Sequence, residues 1–462
     1  MSMTQTITKS PRSRFMDQAS PKMPDSARLV WLSNFEAEPF WTPEGMLQLP
    51  KLSQADDGAI VNRLEEMSLL LAEKPDYVIL RQPSDEAFLS YLADLGFALP
   101  HILCVNAADK VTPISRAILN DVGFCDSLSA LARMNGETFL LPYAKTPLEE
   151  KISQRTGLNT IGPPASVFAR VNSKVYSRRI SKELGLATIP GWECESIDEL
   201  EAAFQEAAPI LESGVRLVLK EAMGVSGKGM FMIDSPQKAD SILARLRRKS
   251  QGMSHCAFVI EVWQEKSKDI NYQLLISAQD VKLLSVKEII AEGGMHMGHR
   301  FPPQITTLQL DAYKRAGESI GSRLRQDGVT GIVGVDSIIS SSGEVFPLLE
   351  INARFNMSTF QMKIEGLLPE EANVVAKHYP MVLDRALEFE RLASGLKDVL
   401  FHPARNIYGV LIQNFATVNA NCSQNGRPAK GRLYVLLIGK SDEELQSLDR
   451  RVKDSLARFS CA

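Results

Sequence analysis

In the segment EVFPLLEINARFN (344–356), Glu350, Asn352 and Arg354 take alternate positions of an otherwise apolar run. Side chains two apart on a β-strand share a face, so a carboxylate, an amide and a guanidinium align on one side. The run GIVGVDSIIS (331–340) comes just before it, and the three residues between, ending in Gly343, have the chemistry of a hairpin loop. Pairing Ser340 with Glu344 sets Asp336 opposite Leu348, on the face of Glu350, Asn352 and Arg354. Two carboxylates and an amide oxygen form a hard donor set suited to Mg²⁺ or Mn²⁺. The plainer reading is a buried Glu350–Arg354 ion pair, and a bulge at Gly343 or the donor lost at Pro347 would shift the register.

Three further stretches carry candidate chemistry. In LVLKEAMGVSGKGMFMID (217–234), a strand ends at Lys220 and runs into a loop with Gly224, Ser226, Gly227 and Gly229. Glycines let backbone amides approach an anion, and a lysine at the strand end reaches the same oxygens, so this reads as a phosphate loop or a plain glycine-rich hairpin. It is not a Walker A loop, because Ala222 stands five before Gly227 and Gly229 follows Lys228. In FVIEVWQEKSKDINYQLL (258–275), Glu261, Val262 and Trp263 offer an apolar slot with backbone hydrogen bonds for a base, and Asp269 an acid for ribose hydroxyls. GGMHMGHRFP (293–302) reads as a mobile loop in which His296, His299 and Arg300 close over phosphate or a substrate carboxylate, or as a surface loop without a role. Gly294 and Gly298 argue against a zinc-binding helix there.

These groups need elements to hold them. NSKVYSRRISKELGL (172–186) is predicted as a helix capped by Asn172 or Ser173, with Tyr176, Ile180 and Leu184 on one stripe and Gly185 at its end, which sets Lys174 in the first turn. ARLVWLSNF, DYVILR and HILCVN alternate with helical patterns and predict a front α/β domain without a GxGxxG fingerprint. Residues 214–352 read mainly as strands, and Leu367 to Leu396 as helix. NIYGVLIQNF, GRLYVLLIG and the helix SDEELQSLDRRVKDSLARF read as a small C-terminal α/β appendage. The expected division is a flexible tail at 1–26, the front domain at 27–164, a nucleotide-binding unit at 165–385 and the appendage at 386–462.

The composition excludes several classes. No apolar run approaches the roughly 20 residues of a membrane helix. A net charge of −3 lacks the basic footprint of nucleic-acid binding. The six scattered cysteines fit reduced thiols in a cytoplasm, and RLRRK (245–249) reads as a solvated helix face.

The order of these motifs over about 165–365 resembles the ATP-grasp superfamily, with EINARFN similar to the E-x-N-x-R signature of its ligases and carboxylases. The resemblance implies an α/β and α+β multidomain chain: an ATP-grasp fold of two α+β subdomains with ATP between them, behind a pre-ATP-grasp domain. It implies that Lys174 and Lys220 contact the α- and β-phosphates and that Gly224, Ser226, Gly227 and Gly229 cover the β- and γ-phosphates. It further implies that Glu261 accepts from the adenine amino group, that backbone at Val262 and Trp263 completes the hinge, and that Asp269 binds ribose. Asp336, Glu350 and Asn352 would hold Mg²⁺ or Mn²⁺. Where ligases resembling D-alanine–D-alanine ligase carry an arginine two residues before the first metal-binding acid, this chain has Gly334, and Arg354 takes the role instead. The layout resembles the antibiotic-pathway ligases of the pheganomycin and butirosin type. The implied activity is ADP-forming ligation of a carboxylate to an amine on an amino acid or peptide through an acylphosphate. The alternatives are loading of an amino acid onto a carrier protein, phosphotransfer to a hydroxyl, or a silent nucleotide-binding module. The implied partners are small amino acids or peptides, a carrier protein and a second copy of the chain, with no nucleic acid and no membrane.

Overall fold

Apolar runs of four or five residues, each followed by a helix, favour parallel strands buried on both faces. Strands β1 (Arg28–Leu32), β2 (Tyr77–Leu80), β3 (His101–Cys104), β4 (Thr138–Pro142) and β5 (Asn159–Thr160) form a parallel sheet in the order β3-β2-β1-β4-β5, buried at its centre and more exposed at its edge strands β3 and β5. Period two divides its residues: Leu29, Trp31, Val78 and Leu80 enter one core, while Val30, Leu32, Ile79 and Leu140 enter another. The computed structural model describes residues 26–49, 57–107, 109–134, 137–224, 230–250, 255–292, 295–422 and 427–460. Residues 1–25 of the expected tail, and 225–229 with Ser226, Gly227 and Gly229, lie outside them.

The second unit is a four-stranded antiparallel sheet of β6 (Gly191–Cys194), β7 (Leu217–Glu221), β8 (Met230–Ile233) and β9 (Phe258–Val262), ordered β6-β9-β7-β8. Helices Ile197–Glu212 and Pro236–Lys249 cover one face through Leu200, Phe204, Leu243 and Leu246.

The third unit is an eight-stranded antiparallel sheet of β10 (Lys266–Ile276), β11 (Val281–Glu292), β12 (Met295–Phe301), β13 (Gly331–Ser340), β14 (Val345–Asn352), β15 (Asn373–Leu383), β16 (Gly409–Asn414) and β17 (Ala429–Gly439). Their order is β14-β13-β10-β11-β12-β15-β17-β16. Helix Thr307–Gln326 packs Tyr313, Ile320 and Leu324 against Tyr272 and Leu274.

This sheet corrects three expectations. The GGMHMGHRFP stretch is not a closing loop, because residues 295–301 are the strand β12, paired on both sides with β11 and β15. The span expected to be helical from Leu367 contains β15, whose buried Val374, Ala376, Tyr379 and Met381 and the β-branched pair Val374–Val375 suit a strand; helix begins only at Phe389. The C-terminal segment has no sheet of its own: β17 pairs with β15 from Asn373↔Gly439 to Leu383↔Ala429, and β16 extends the edge. Its helix Phe389–Leu396 also meets the front domain, where the rings of Phe88 and Phe389 lie 5.2 Å apart.

Gly191 sets how closely β6 approaches the strand that carries Glu261. A Cβ there would overlap the carbonyl oxygen of Ile260, a backbone atom that cannot swing aside. We expect Gly191→Ala to cost about 1–3 kcal/mol, as overpacking does, read as a lower urea midpoint at unchanged slope. An unchanged midpoint would contradict this close approach.

Candidate active site

The site begins at the β13–β14 hairpin. Ser340 N–H donates to Glu344 O at 2.9 Å, as the loop chemistry predicts. The register then shifts, so that Ile338 faces Phe346 but Asp336 faces Glu350, not Leu348. The offset of two keeps the parity of both strands, and Asp336, Glu350 and Asn352 still share one face. Pro347, which has no N–H to give the ladder, sits in the irregular stretch.

β14 is an edge strand, and its outward groups are tied down by the chain just before the shift to the second unit. Ser177 Oγ accepts from Ile351 N–H at 3.0 Å, and Asn172 Oδ1 accepts from Ala353 N–H at 2.8 Å. Helix Lys174–Glu183 thereby lies along β14, and the Lys174 ammonium donates to Glu350 Oε1 and to Gly224 O, both at 2.8 Å. Asn271 and Asn352 donate to the two oxygens of Asp336 at 2.7 and 3.0 Å. Burial, and then the facing Glu350, push the Asp336 carboxyl up to about 6. Two carboxylates forced together, with an amide and no third His, Cys, Asp or Glu among the described residues, fit a hard divalent cation better than zinc. Glu350 and Asn352 open onto a small cleft that Glu38, Trp41, Asn172, Met223 and Gly224 also line.

Lys220, one residue before the end of β7, donates to Glu261 Oε2 at 2.6 Å, while Arg178 holds Glu261 Oε1 at 2.7 Å. Burial alone would raise the Glu261 carboxyl; Lys220 and then Arg178 outweigh it and hold it below its ordinary value. Both oxygens are therefore committed to cations, which corrects the expectation that this side chain accepts from adenine. The backbone donors expected at the hinge are spent as well. Val262 N–H goes to Pro190 O at 2.9 Å and Trp263 N–H to Arg216 O at 2.8 Å. Asp269 lies on β10 two residues from Asn271, on the same face, ion-paired with Lys266 at 2.6 Å.

Arg354 follows β14 and turns toward the front domain. It pairs with Glu38, from the turn Glu38–Trp41, and donates to Tyr143 Oη and Phe355 O, both at 3.1 Å. Burial would lower its pKa; Glu38, then Tyr143 and Glu350, outweigh that and keep it charged. Its Nε–H is buried without a partner among the described residues. His299 and Arg300 do not join this group. β12 lies four strands from β14, roughly 19 Å along the sheet at ordinary strand spacing. Adjacent residues also point to opposite faces, and Arg300 pairs with Asp442 at the start of helix Asp442–Leu456. His299 is buried within the sheet, and His296 lies on the same strand.

Sequence reasoning missed Glu38, Trp41, Tyr143, Arg178 and Asn271. Asn271 had a signal, since Asp269, Asn271 and Gln273 alternate on β10 as Glu350, Asn352 and Arg354 do. Gln273 Nε2 donates to Asn356 Oδ1 at 2.8 Å, and Asn356 Nδ2 to Asn271 Oδ1 at 3.2 Å, so an amide chain braces Asp336 from behind. Gly334 makes room for it, because a Cβ there would overlap Asn356 Nδ2. Any side chain at that position would have to displace the Asn356 amide.

The Asp336 shift has a definite sign. Its folded-state value, about 6, lies above the ordinary 3.8, so its contribution to stability is complete below the ordinary value and is lost as pH rises through 6. In metal-free protein, we expect Asp336→Asn to gain roughly 1–2 kcal/mol on the parent between pH about 4 and about 7, by denaturant midpoints. A parent that instead gained on the variant would show that the two carboxylates are not crowded.

Comparison with known proteins bears on the fold and the domain order. The family described as the Pre ATP-grasp domain matches residues 65–158, and the carbamoyl-phosphate synthase L chain ATP-binding domain matches residues 173–367. The [butirosin acyl-carrier protein]–L-glutamate ligase of Niallia circulans is 28% identical over 346 residues, covering 74% of this chain and 75% of that protein. A Campylobacter jejuni biotin carboxylase shares the fold with a TM-score of 0.54 at 12% identity, over 93% of this chain and 91% of the other. An N5-carboxyaminoimidazole ribonucleotide synthetase solved with ADP does so with a TM-score of 0.52 at 12% identity, over 94% and 98%. The chain therefore carries a pre-ATP-grasp domain ahead of an ATP-grasp nucleotide-binding unit, and it is similar to the carboxylate–amine ligases of that superfamily.

Proposed function

We propose that the protein joins the carboxylate of an amino acid or peptide to an amine, in the cytoplasm, with conversion of ATP to ADP and phosphate. The observation that carries this reading is the facing pair Asp336 and Glu350, with Lys174 and Arg354 beside it. A substrate carboxylate attacks the γ-phosphorus of ATP and ADP leaves. The amine nitrogen then attacks the acyl carbon, phosphate departs, and the nitrogen gives up a proton.

The chain's own part is to position charge. Lys174 and Lys220 meet the phosphates from the helix start and the end of β7, and Gly224 with Ser226, Gly227 and Gly229 covers them. Glu261, held by Arg178, keeps Lys220 extended. The carbonyls of Val262 and Trp263 accept from the base, and Asp269 faces the ribose. Arg354, with its spare Nε–H, steadies the transferring phosphoryl group and the acylphosphate. Asp336, Glu350 and Asn352 would hold Mg²⁺, or Mn²⁺, which supplies neutralisation of the phosphate charge.

The likeness to a relative named for an acyl-carrier protein and L-glutamate favours a second reading, in which the acceptor is borne on a carrier protein in an antibiotic pathway. A screen for phosphate release with amino acids and dipeptides, each with and without carrier protein, separates the two by the mass of the product. Phosphate release that needs no second substrate would count against both. We expect Glu350→Ala to lower ATP turnover at least ~100-fold while the circular dichroism spectrum is unchanged. A variant that keeps its turnover would remove Glu350 from the metal site.

A further inference from the structure

The cleft must receive a triphosphate and a substrate carboxylate, yet Glu38 adds a negative charge to its wall. A carboxylate facing anions is unfavourable unless it serves a cation. Arg354 accounts for only part of it. That guanidinium is already held by Tyr143 Oη, by Phe355 O and by the Tyr143 ring, 5.6 Å from its centre. It engages Glu38 Oε1 alone, and Oε2 has no partner among the described residues. Glu38 belongs to the same short turn as Trp41, whose indole N–H is fixed on Lys145 O at 2.9 Å and whose ring stacks on Phe168 at 6.3 Å. Trp41 is thus a rigid aromatic wall, with Met223 also in the lining. Carboxylate, indole face and thioether together describe a seat for an ammonium group that carries a small apolar substituent. Glu350 and Asn352 line the same cleft, so an amine seated there lies next to the position assigned to the acylphosphate.

We infer that Glu38 and Trp41, from the front domain, form the acceptor subsite, and that the acceptor is a primary ammonium compound bound through Glu38 Oε2. The inference rests on the ligase reading above, but its test does not depend on finding the natural acid. Binding of n-propylammonium chloride, followed by saturation-transfer NMR, should weaken about tenfold or more in Glu38→Gln, as expected when a charged hydrogen-bond partner is removed. No binding to the parent, or equal binding to both proteins, overturns the assignment.

Turnover supplies the second arm, with L-glutamate as the acid. Glu38→Gln should raise KM for n-propylamine about tenfold or more, while KM for hydroxylamine, uncharged at neutral pH, changes less than about threefold. If both nucleophiles suffer equally, Glu38 acts only through Arg354 and the acceptor role is refuted. If the parent forms no hydroxamate with any amino acid, the ligase reading fails, and the NMR comparison still decides the ammonium seat.

Discussion

Two carboxylates facing each other across a pair of strands are the constraint around which the rest of this protein is arranged. Asp336 and Glu350 cannot both be ionised cheaply in a partly enclosed cleft, and the structure answers with cations from two directions. Lys174 reaches Glu350 from a helix start. Arg354, two residues beyond β14, is kept charged in part by Glu350. A divalent ion held between the acids would complete the balance and would account for the polar groups on one face of a strand that is otherwise apolar.

Each charge near the cleft is itself steadied by a partner. Lys220 is steadied by Glu261, Glu261 by Arg178, Arg178 by Glu193 at 2.7 Å, and Arg354 by Glu38 and Tyr143. Such chains limit the rotamers of long side chains before any ligand arrives, and preorganised charge is what phosphoryl transfer requires. Asn271, Asn356 and Gln273 do the same for Asp336 through neutral amides, which orient the carboxylate without adding charge.

The eight-stranded sheet makes these contacts durable. Its β13–β14 edge carries the acids, and its other edge, β17 and β16, shares a hydrophobic core with the front domain through Phe88, Phe389 and Phe415. The front domain is therefore anchored at a distance from the cleft, while its Glu38–Trp41 turn lines the cleft itself. A substrate bound there would touch both the nucleotide-binding unit and the front domain.

The acids and the basic residues at 174, 220 and 354 were legible in the sequence because strand parity and helix caps are local properties. A register slip of two, as at Pro347, does not disturb them. The fate of β12 and β15 was not legible, since glycines and mixed apolar runs suit loop, helix or strand until neighbours supply ladder partners. Glu261 shows the same limit for function: its place on a strand could be read, but the two cations that occupy its oxygens come from 83 residues before it and 41 residues before it. Glu38 and Arg354, 316 residues apart, could be joined only by folding. By itself the sequence determined which side chains share a face, because periodicity is written into consecutive residues. Tertiary structure alone decided which faces meet, because distant segments pair through burial and charge that no local pattern encodes.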